Sequence, residues 1–477
     1  MKKYDYDLIV IGGGAGGFVA SKLARGFGKR VAMVEKEKLG GECTNYGCVP
    51  SKALIRVAKV AHELRNHEKF GLRLEGSRSF NTDDVMPHVR SIVQNVYNSH
   101  LPESFEALGI NVYFGNPQFL DNHSIRLGEK IFSGNKFIIA TGSSPLIPNI
   151  EGIHEAPYLT NVNIFSLDEL PKSMIVLGGG PLGIELASAF TRLNVEVTVV
   201  QRQDRILLKD DRELVEILTK CLKAEGLNIL ASTKAVRLSK SNGKIRLSIQ
   251  KSGGDSGEII AESILIATGR RPNIEGLDLE KAGVNYSSKG ILVNERLETS
   301  SGNIYTCGDV VGPYQFSHMA EYQATIACFN AFLPLKKKVN YSNVIWCTFT
   351  DPELAHGGIT EEQARERLGD RIRIYRQEYS KMDRARTDLE NIGMSKLICD
   401  DKGRLVGIHI LGSHASEVIH EVQFVKSLNI PFEKIREVIH AYPSYSDAIK
   451  KPSNLYYVDK LQGNPFLKIL RKLLSPQ

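Results

Sequence analysis

Short apolar runs alternate with helical periodicity near the start of the chain. Residues 8–11 and 31–34 are apolar without a break, which is typical of buried strands. Between them, apolar and small residues recur at helical spacing through Ala20, Leu23 and Ala24. The pattern therefore predicts a strand, a helix and a second strand, a unit of the α/β fold class.

The loop between the first strand and the helix is rich in glycine. Gly12, Gly14 and Gly17 follow the strand in G-x-G-x-x-G spacing, and Glu35 ends the second strand. Gly12 permits a tight turn, Gly14 lets the backbone approach a pyrophosphate at the helix N-terminus, and Gly17 allows close packing. A carboxylate at position 35 can accept hydrogen bonds from ribose hydroxyls. This order of features predicts a dinucleotide site.

The same order recurs in the middle of the chain. Gly178, Gly180 and Gly183 form a second triplet, and residues 195–200 form the strand that follows its helix. One chain with two such units is expected to bind two dinucleotides. A nicotinamide supplies hydride, and the other dinucleotide is most simply FAD, which accepts hydride and passes on electrons.

The second dinucleotide-binding unit has no acidic residue at the position that corresponds to Glu35. Gln201 and Arg202 stand where the strand ends. An acid would suit a free 2′-hydroxyl, whereas an arginine suits a 2′-phosphate. Arg202, with help from Arg205, favours NADPH over NADH, and a solvated surface arginine is the alternative.

Two cysteines stand five positions apart in GGECTNYGCVPSKAL, residues 40–54. A disulfide needs Cα atoms within roughly 7 Å. Five residues of regular helix already rise about 7.5 Å. Cys43 and Cys48 could therefore bridge only at an irregular helix start, which Gly47 and Pro50 provide.

The helix after the cysteines has apolar residues at positions 54, 57, 58, 61 and 64, which predict one buried face. A thiol near a helix N-terminus has a lowered pKa, because the helix dipole stabilises the thiolate. This environment suits a catalytic dithiol, and two unpaired packing cysteines are the alternative.

Composition limits the class of protein. A chain of 477 residues with 42% apolar and 24% charged residues is typical of a globular protein of about two to four domains. No apolar run approaches the ~18 residues of a membrane-spanning helix, and the other cysteines are scattered, so we expect reduced thiols and a cytoplasmic protein.

The net charge of +7 is dispersed along the chain, which argues against nucleic-acid binding. The basic tail NPFLKILRKLL predicts a packing helix, with membrane-surface contact as the alternative.

Four segments together identify a family resemblance. The cysteine segment resembles the redox-active segment of the class I pyridine nucleotide-disulfide oxidoreductases, which include dihydrolipoamide dehydrogenase, glutathione reductase and mercuric reductase. FIIATGSSP (137–145) and ILIATGRRPN (264–273) resemble the family's crossovers between its FAD and NAD(P) domains. IYTCGDV (304–310) resembles its FAD-contacting segment.

The resemblance implies an α/β fold with two Rossmann-like dinucleotide-binding domains and a C-terminal α+β dimerisation domain. We expect the FAD domain at 1–150 and 274–342, the NAD(P) domain at 151–273 and the interface domain at 343–477. The implied protein is a homodimer whose small-molecule electron acceptor is not fixed by these motifs.

The resemblance also implies residue roles. Cys48 would lie next to the flavin and Cys43 would meet the acceptor. Lys52 would lie near the flavin and pair with Glu185, and an exposed helix lysine is the alternative. The implied cofactor contacts in the crossovers and the FAD segment are Thr141, Gly142, Gly269 and Asp309. No residue is assigned to a metal.

The C-terminal segment departs from the better-known relatives. Dihydrolipoamide dehydrogenase and glutathione reductase place a histidine before a proline there, and a glutamate orients this acid/base. In HAYPSYSDAI (440–449), Tyr442 takes the histidine position and Asp447 the glutamate position. His440 would act only if the segment were shifted. A phenol with a pKa near 10 is a poor base, so we expect dihydrolipoamide and glutathione to be poor substrates.

FTDPELAHGGIT (349–360) is more similar to mercuric reductase than to dihydrolipoamide dehydrogenase. We therefore expect a mercuric-reductase-like flavoprotein that passes electrons from NADPH, or NADH, through FAD and the dithiol to a metal ion, a quinone-like oxidant or a disulfide. One alternative is a dihydrolipoamide dehydrogenase of a 2-oxoacid complex. Another is a flavin-containing redox sensor.

Overall fold

The computed structural model describes residues 4–73 and 80–464. These residues fall into two compact units. The first takes its residues from Met1–Gly179, Ala189–Arg202 and Ser232–Asn340, and the second from Gly180–Ser188, Gln203–Ala231 and Tyr341–Gln477. The predicted domain limits at 150, 273 and 342 remain predictions. The predicted tail helix lies outside the described residues except for Asn464.

The N-terminal part of the chain builds an α/β sheet and its helices. In chain order these elements are β1 (Tyr6–Ile11), α1 (Ala15–Gly26), β2 (Val31–Glu35), α2 (Gly41–Asn45), α3 (Cys48–Arg65), α4 (Val85–Tyr97), α5 (Pro102–Glu106), β3 (Ile110–Phe114), β4 (Pro117–Asp121), β5 (Ser124–Leu127), β6 (Lys130–Ile139) and β7 (Ser143–Pro145). The strand order is β3-β2-β1-β6-β5-β4, and β3, β2, β1 and β6 run parallel.

The unbroken apolar runs of the sequence reflect a sheet that is covered on both faces. Leu8 and Val10 of β1 pack into one hydrophobic cluster, and Ile9 and Ile11 pack into another. Successive side chains of a strand point to opposite faces, so a strand buried on both sides needs apolar residues at every position.

The middle of the chain forms a second parallel arrangement and an antiparallel meander. Its elements are β8 (Ser173–Leu177), α6 (Pro181–Arg192), β9 (Glu196–Val200), α7 (Arg212–Ala224), β10 (Asn228–Leu230), β11 (Thr233–Ser241), β12 (Lys244–Lys251), β13 (Ser256–Ala261) and β14 (Ser263–Ile266). β9, β8 and β14 run parallel, and β11, β12 and β13 pair antiparallel.

The chain then returns to the first sheet. The next elements are β15 (Arg270–Pro272), β16 (Tyr286–Ser287), β17 (Gly290–Ile291), β18 (Ile304–Thr306) and α8 (Ser317–Phe332). β15 pairs antiparallel with β7, and β18 extends the parallel sheet beside β6. The parallel strands and their glycine loops confirm the predicted α/β class with two Rossmann-like units.

The C-terminal part forms an antiparallel sheet with helices. Its elements are β19 (Ile345–Thr348), β20 (Glu353–Gly358), α9 (Glu361–Leu368), β21 (Arg373–Glu378), α10 (Asp383–Thr387), β22 (Met394–Cys399), β23 (Leu405–Gly412), α11 (Ala415–Ser427) and α12 (Asp447–Gly463). The strand order is β19-β20-β23-β22-β21. The buried core of this part includes Ile408, Ile410, Ile419 and Ile449, which places α11 and α12 against the sheet. This is the predicted α+β domain.

One detail of the sequence prediction is wrong. Leu54, Ala58 and Ala61 of α3 are buried as expected, but Leu64 is 47% exposed. Leu64 lies in the last turn of α3, where its side chain is only partly covered by other residues. Within residues 4–73 and 80–464, no helix is both long enough and apolar enough to cross a membrane.

Candidate functional site

The first glycine loop has the geometry of a pyrophosphate cradle. Gly12 has φ +112°, and a Cβ added to it would lie 2.3 Å from the carbonyl oxygen of Ala140. A Cβ at Gly17 would lie 1.8 Å from the Gly12 oxygen. Gly14 is the N-cap residue of α1 and has no side chain to cap it, so the helix N-terminus keeps its amide donors for a ligand. These features fit the diphosphate of FAD.

Glu35 lies beside this loop as the sequence predicts. One carboxylate oxygen accepts a 2.6 Å hydrogen bond from the Gly13 amide, and the other accepts one of 2.9 Å from the Glu37 amide. A carboxylate has about four lone-pair positions, so it can still accept hydrogen bonds from ribose hydroxyls. Gly12, Gly14, Gly17 and Glu35 thus fit the predicted FAD site.

The dithiol segment begins against the glycine loop. A Cβ at Gly41 would lie 2.8 Å from Gly14 Cα, so only glycine permits this approach. Cys43 lies in the short helix α2, and Cys48 is the first residue of α3. A Cβ at Gly47, between the two helices, would lie 3.4 Å from Cys43 Cα. The predicted irregular helix start is therefore a break into two helices.

The two cysteines are neighbours, with Cys43 half-buried and Cys48 exposed. A hydrogen bond with Cys48 and burial raise the pKa of Cys43 above its ordinary value. The expectation of a lowered pKa is therefore wrong for Cys43, because the hydrogen bond with Cys48 and burial outweigh the helix dipole. For Cys48 the lowered pKa stays a prediction.

Sequence reasoning missed Ser317. Its hydroxyl lies 3.7 Å from Cys48 Sγ, although 269 residues separate them in the chain. Ser317 is also the first residue of α8, which runs for 16 residues. A hydroxyl donor and a helix N-terminus both favour negative charge on a nearby sulfur. The segment SHMAEYQAT carried no local signal for this contact.

A charged cluster adjoins the dithiol. Arg270 donates to both carboxylate oxygens of Glu42, the residue before Cys43, and Asn161 donates to Glu42 at 2.5 Å. Asp309 lies 3.6 Å from Arg270 and accepts a 2.6 Å hydrogen bond from Ser143. Burial lowers the pKa of Arg270, while Asp309 opposes this shift. The cluster connects the dithiol segment, both crossovers and Asp309, the implied cofactor contact of the FAD segment.

The two crossover segments contact each other. Thr141 donates its hydroxyl to the Asn273 carbonyl at 2.7 Å, and Asn273 donates its side-chain amide to the Thr141 carbonyl at 2.9 Å. Gly142 and Gly269 both have positive φ, at 71° and 146°. The structure thus gives Thr141 a role in holding the crossover, and its cofactor contact stays a prediction.

The second glycine loop has the geometry of the first, but a glutamine replaces the glutamate that accepts a hydrogen bond from the loop. A Cβ at Gly178 would lie 2.3 Å from the Ala267 oxygen, while a Cβ at Gly180 would meet open space. The Gly179 amide donates to Gln201 Oε1 at 3.1 Å, as Gly13 donates to Glu35 in the first loop. Gln201 is thus the neutral counterpart of Glu35. Gly183 lies in the first turns of α6.

Arg202 follows directly and is exposed. Arg205, its expected helper, donates to the Leu208 carbonyl at 3.1 Å. Arg202 and Arg205 belong to different compact units, so their joint role stays a prediction.

Lys52 and Glu185 also belong to different units. Lys52 lies in α3, one turn after Cys48, and is partly buried. Glu185 lies in α6, is 4% exposed and accepts a 2.8 Å hydrogen bond from the Phe349 amide. Their pairing stays a prediction.

The C-terminal segment gives Tyr442 a hydrogen-bond partner other than Asp447, and the predicted pair of Tyr442 and Asp447 stays a prediction. Tyr442 is 74% exposed and donates to Asp383 at 3.0 Å, whereas Asp447 pairs with Lys451 at 3.1 Å. The hydrogen bond to Asp383 raises the pKa of Tyr442. His440 lies against Glu421 at 2.8 Å. Asp383 is a partner that sequence reasoning missed.

The residues 4–73 and 80–464 contain no group of three or more His, Cys, Asp or Glu side chains arranged to hold a metal ion.

Comparison with known proteins defines the class. Residues 6–324 match the family of pyridine nucleotide-disulphide oxidoreductases, and residues 344–453 match the dimerisation domain of that family. The chain belongs to this family. It is a flavin-dependent pyridine nucleotide-disulfide oxidoreductase, with FAD and a pyridine nucleotide as the cofactors that the family implies.

Its relatives include enzymes with different substrates. The chain is 33% identical to a mercuric reductase of Bacillus cereus over 94% of its own length and 71% of that protein. It is 32% identical to a dihydrolipoyl dehydrogenase of Bacillus subtilis, over 93% and 96% of the two chains.

Solved structures support the same fold. The HOCl-induced flavoprotein disulfide reductase RclA of Escherichia coli aligns with TM-score 0.85 and 27% identity, covering 94% of this chain and 100% of RclA. A Cu(II) complex of RclA aligns with TM-score 0.83 and 27% identity, covering 95% of this chain and 100% of that one.

Proposed function

We propose that this protein is an NADPH-dependent reductase of thiophilic metal ions, with Cys43 and Cys48 as its redox pair. The residue at the family's acid/base position carries the proposal. Tyr442 stands there, and its hydrogen bond to Asp383 raises its pKa further. Reduction of an organic disulfide needs proton exchange at the thiols, whereas reduction of a soft metal ion needs thiolate ligands and electrons.

The proposed reaction balances. When bound, FAD accepts hydride from the nicotinamide and supplies the two electrons that break the Cys43–Cys48 bond. The reduced pair then binds the metal ion through both sulfurs, and the one proton that remains from the hydride passes to solvent. Two Cu(II) ions each accept one electron and the disulfide re-forms. The sum is NADPH + 2 Cu(II) → NADP⁺ + 2 Cu(I) + H⁺.

The environment of the thiols supports metal binding. Ser317 and the start of α8 favour negative charge on Cys48. Metal binding at Cys43 displaces the proton of its thiol. Soft sulfur ligands of this kind select thiophilic ions such as Cu and Hg.

The relatives point to the same chemistry. One relative is a mercuric reductase, and a structural neighbour was solved as a Cu(II) complex. These names favour a metal ion over the quinone-like and disulfide acceptors.

Dihydrolipoamide dehydrogenase activity is the second candidate. The 32% identity to the dihydrolipoyl dehydrogenase of Bacillus subtilis favours it, since the matching region covers 96% of that enzyme. Comparison of wild-type turnover with dihydrolipoamide and with Cu(II) decides between the two candidates.

We also propose a cytoplasmic homodimer. The segment before Tyr442 exposes Ile439 almost completely, at 97%. An apolar side chain so exposed suits a surface that a second subunit covers. In the dimer, this segment of one subunit would lie over the dithiol of the other, as the family resemblance implies.

NADPH is the proposed hydride donor, and Arg202→Glu tests this. The variant should shift the NADPH-to-NADH ratio of kcat/KM towards NADH by about 10- to 150-fold, because a charge-assisted contact is lost and repulsion replaces it. Lys244, exposed on β12, supplies the matched control: Lys244→Glu makes the same charge change and should leave the ratio unaltered. Equal ratios for wild type and Arg202→Glu would mean that Arg202 faces solvent.

A further inference from the structure

Gln201 marks where the ribose of the nicotinamide dinucleotide should lie. Its side chain accepts a hydrogen bond from the Gly179 amide, just as the Glu35 side chain accepts one from the Gly13 amide in the first loop. Gln201 therefore occupies the position of the ribose-binding acid. The backbone of Gln201 also accepts a 2.9 Å hydrogen bond from Thr233. This bond brings the first residues of the meander strand β11 alongside the ribose position.

An open cleft of about 360 Å³ lies at this junction. We call it the basic cleft, and its lining residues are Arg202, Ser232, Lys234, Gln250, Lys251, Ser252 and Gly254. Lys234 lies on β11, and Lys251 is the last residue of β12. The Ser252 amide bonds to the Ser232 carbonyl at 2.9 Å, which joins the two strand ends that form the wall of the cleft.

The basic cleft carries uncompensated positive charge. Among the described residues, no carboxylate lies within 4 Å of the charged groups of Arg202, Lys234 or Lys251. Three cations around one cleft repel each other, and an anion relieves that repulsion. Ser232 adds a hydroxyl donor, whereas the Ser252 hydroxyl donates to the Ser232 carbonyl at 3.0 Å. A phosphate dianion matches this combination of charge and donors.

We propose that Lys234 and Lys251 complete, with Arg202, the binding site of the adenosine 2′-phosphate of NADPH. The inference rests on the proposed use of NADPH and extends it to residues outside the glycine-loop motif. Arg202 supplies a planar guanidinium, and the lysines supply mobile point charges from the meander. Specificity for NADPH therefore depends on two elements far apart in the sequence.

The test measures nucleotide binding, with no electron acceptor present. The FAD-loaded protein is titrated by calorimetry with adenosine 2′,5′-bisphosphate and, separately, with 5′-AMP. Wild type should bind the bisphosphate more tightly. The Lys234→Gln/Lys251→Gln double variant should weaken bisphosphate binding by about 10- to 100-fold, and 5′-AMP binding by less than about twofold. Lys244→Gln, which removes a charge elsewhere on the same meander, should change neither.

Three results would overturn the inference. The first is unchanged bisphosphate affinity in the double variant, and the second is equal weakening of both nucleotides. The third is inorganic phosphate binding as tightly as the bisphosphate, which would make the basic cleft a site for free phosphate. If wild type does not discriminate between the two nucleotides, the proposed NADPH preference itself has failed. Failure of the metal reductase proposal would leave these titrations unaffected.

Discussion

Cys48→Ser should lower the rate of acceptor reduction by at least about 10³-fold, because the pair can then no longer form a disulfide or bind a metal ion through two sulfurs. Reduction of the bound flavin by NADPH should continue, since hydride transfer does not need the dithiol. Absorbance of the partly reduced protein gives a second readout. Wild type should show a long-wavelength charge-transfer band from the Cys48 thiolate, and Cys48→Ser should lose it.

Cys43→Ser should also abolish acceptor reduction but keep the charge-transfer band, which separates the two thiols. Cys221→Ser is the matched control, because Cys221 lies on α7 and takes no part in the proposed site. A charge-transfer band that persists in Cys48→Ser would show that the assignment of the two thiols is wrong.

Tyr442→His should raise turnover with dihydrolipoamide by about 10²-fold or more, within the range that a positioned acid/base contributes. In wild type, Asp383 holds the pKa of Tyr442 above its ordinary value of 10. The phenol therefore stays protonated at pH 7 to 8 and does not act as a base. A histidine with a pKa near 6.5 becomes a base as the pH rises through that value. The gain should therefore be small near pH 5.5 and nearly complete at pH 7 to 8.

Tyr442→Phe controls for the loss of the phenol. It removes the hydrogen bond to Asp383 without supplying a base, so it should give no gain with dihydrolipoamide. Wild-type turnover that already equals that of Tyr442→His would remove the basis for a metal acceptor. It would favour the dihydrolipoamide dehydrogenase candidate instead.

The parts of the fold that depend on short-range pattern were predictable. The glycine loops at Gly12 and Gly178 impose a backbone that few residues adopt, and apolar runs mark strands covered on both faces. The break between α2 and α3 was also predictable, because two cysteines five residues apart need it to approach each other.

Contacts between distant segments were not predictable. Ser317 is 269 residues from Cys48, and Asp383 is 59 residues from Tyr442. Neither contact has a local pattern, because only the folded backbone brings the partners together. The raised pKa of Cys43 has the same origin, since burial and a neighbouring thiol outweigh the helix dipole there. In the sequence, nothing distinguishes Lys234 and Lys251 from other surface lysines. Only the hydrogen bond between β11 and the backbone of Gln201 brings them to the basic cleft.

Production of reduced metal by the dithiol tests the central claim most directly. NADPH and Cu(II) are mixed anaerobically with catalytic amounts of the FAD-loaded protein, and Cu(I) is followed with a Cu(I)-specific chelator. We expect two Cu(I) per NADPH from wild type and no Cu(I) above the protein-free rate from Cys43→Ser. A parallel assay follows the NADPH oxidation that depends on Hg(II). The proposal would be contradicted if wild type reduced neither ion, or if Cys43→Ser reduced them as fast as wild type.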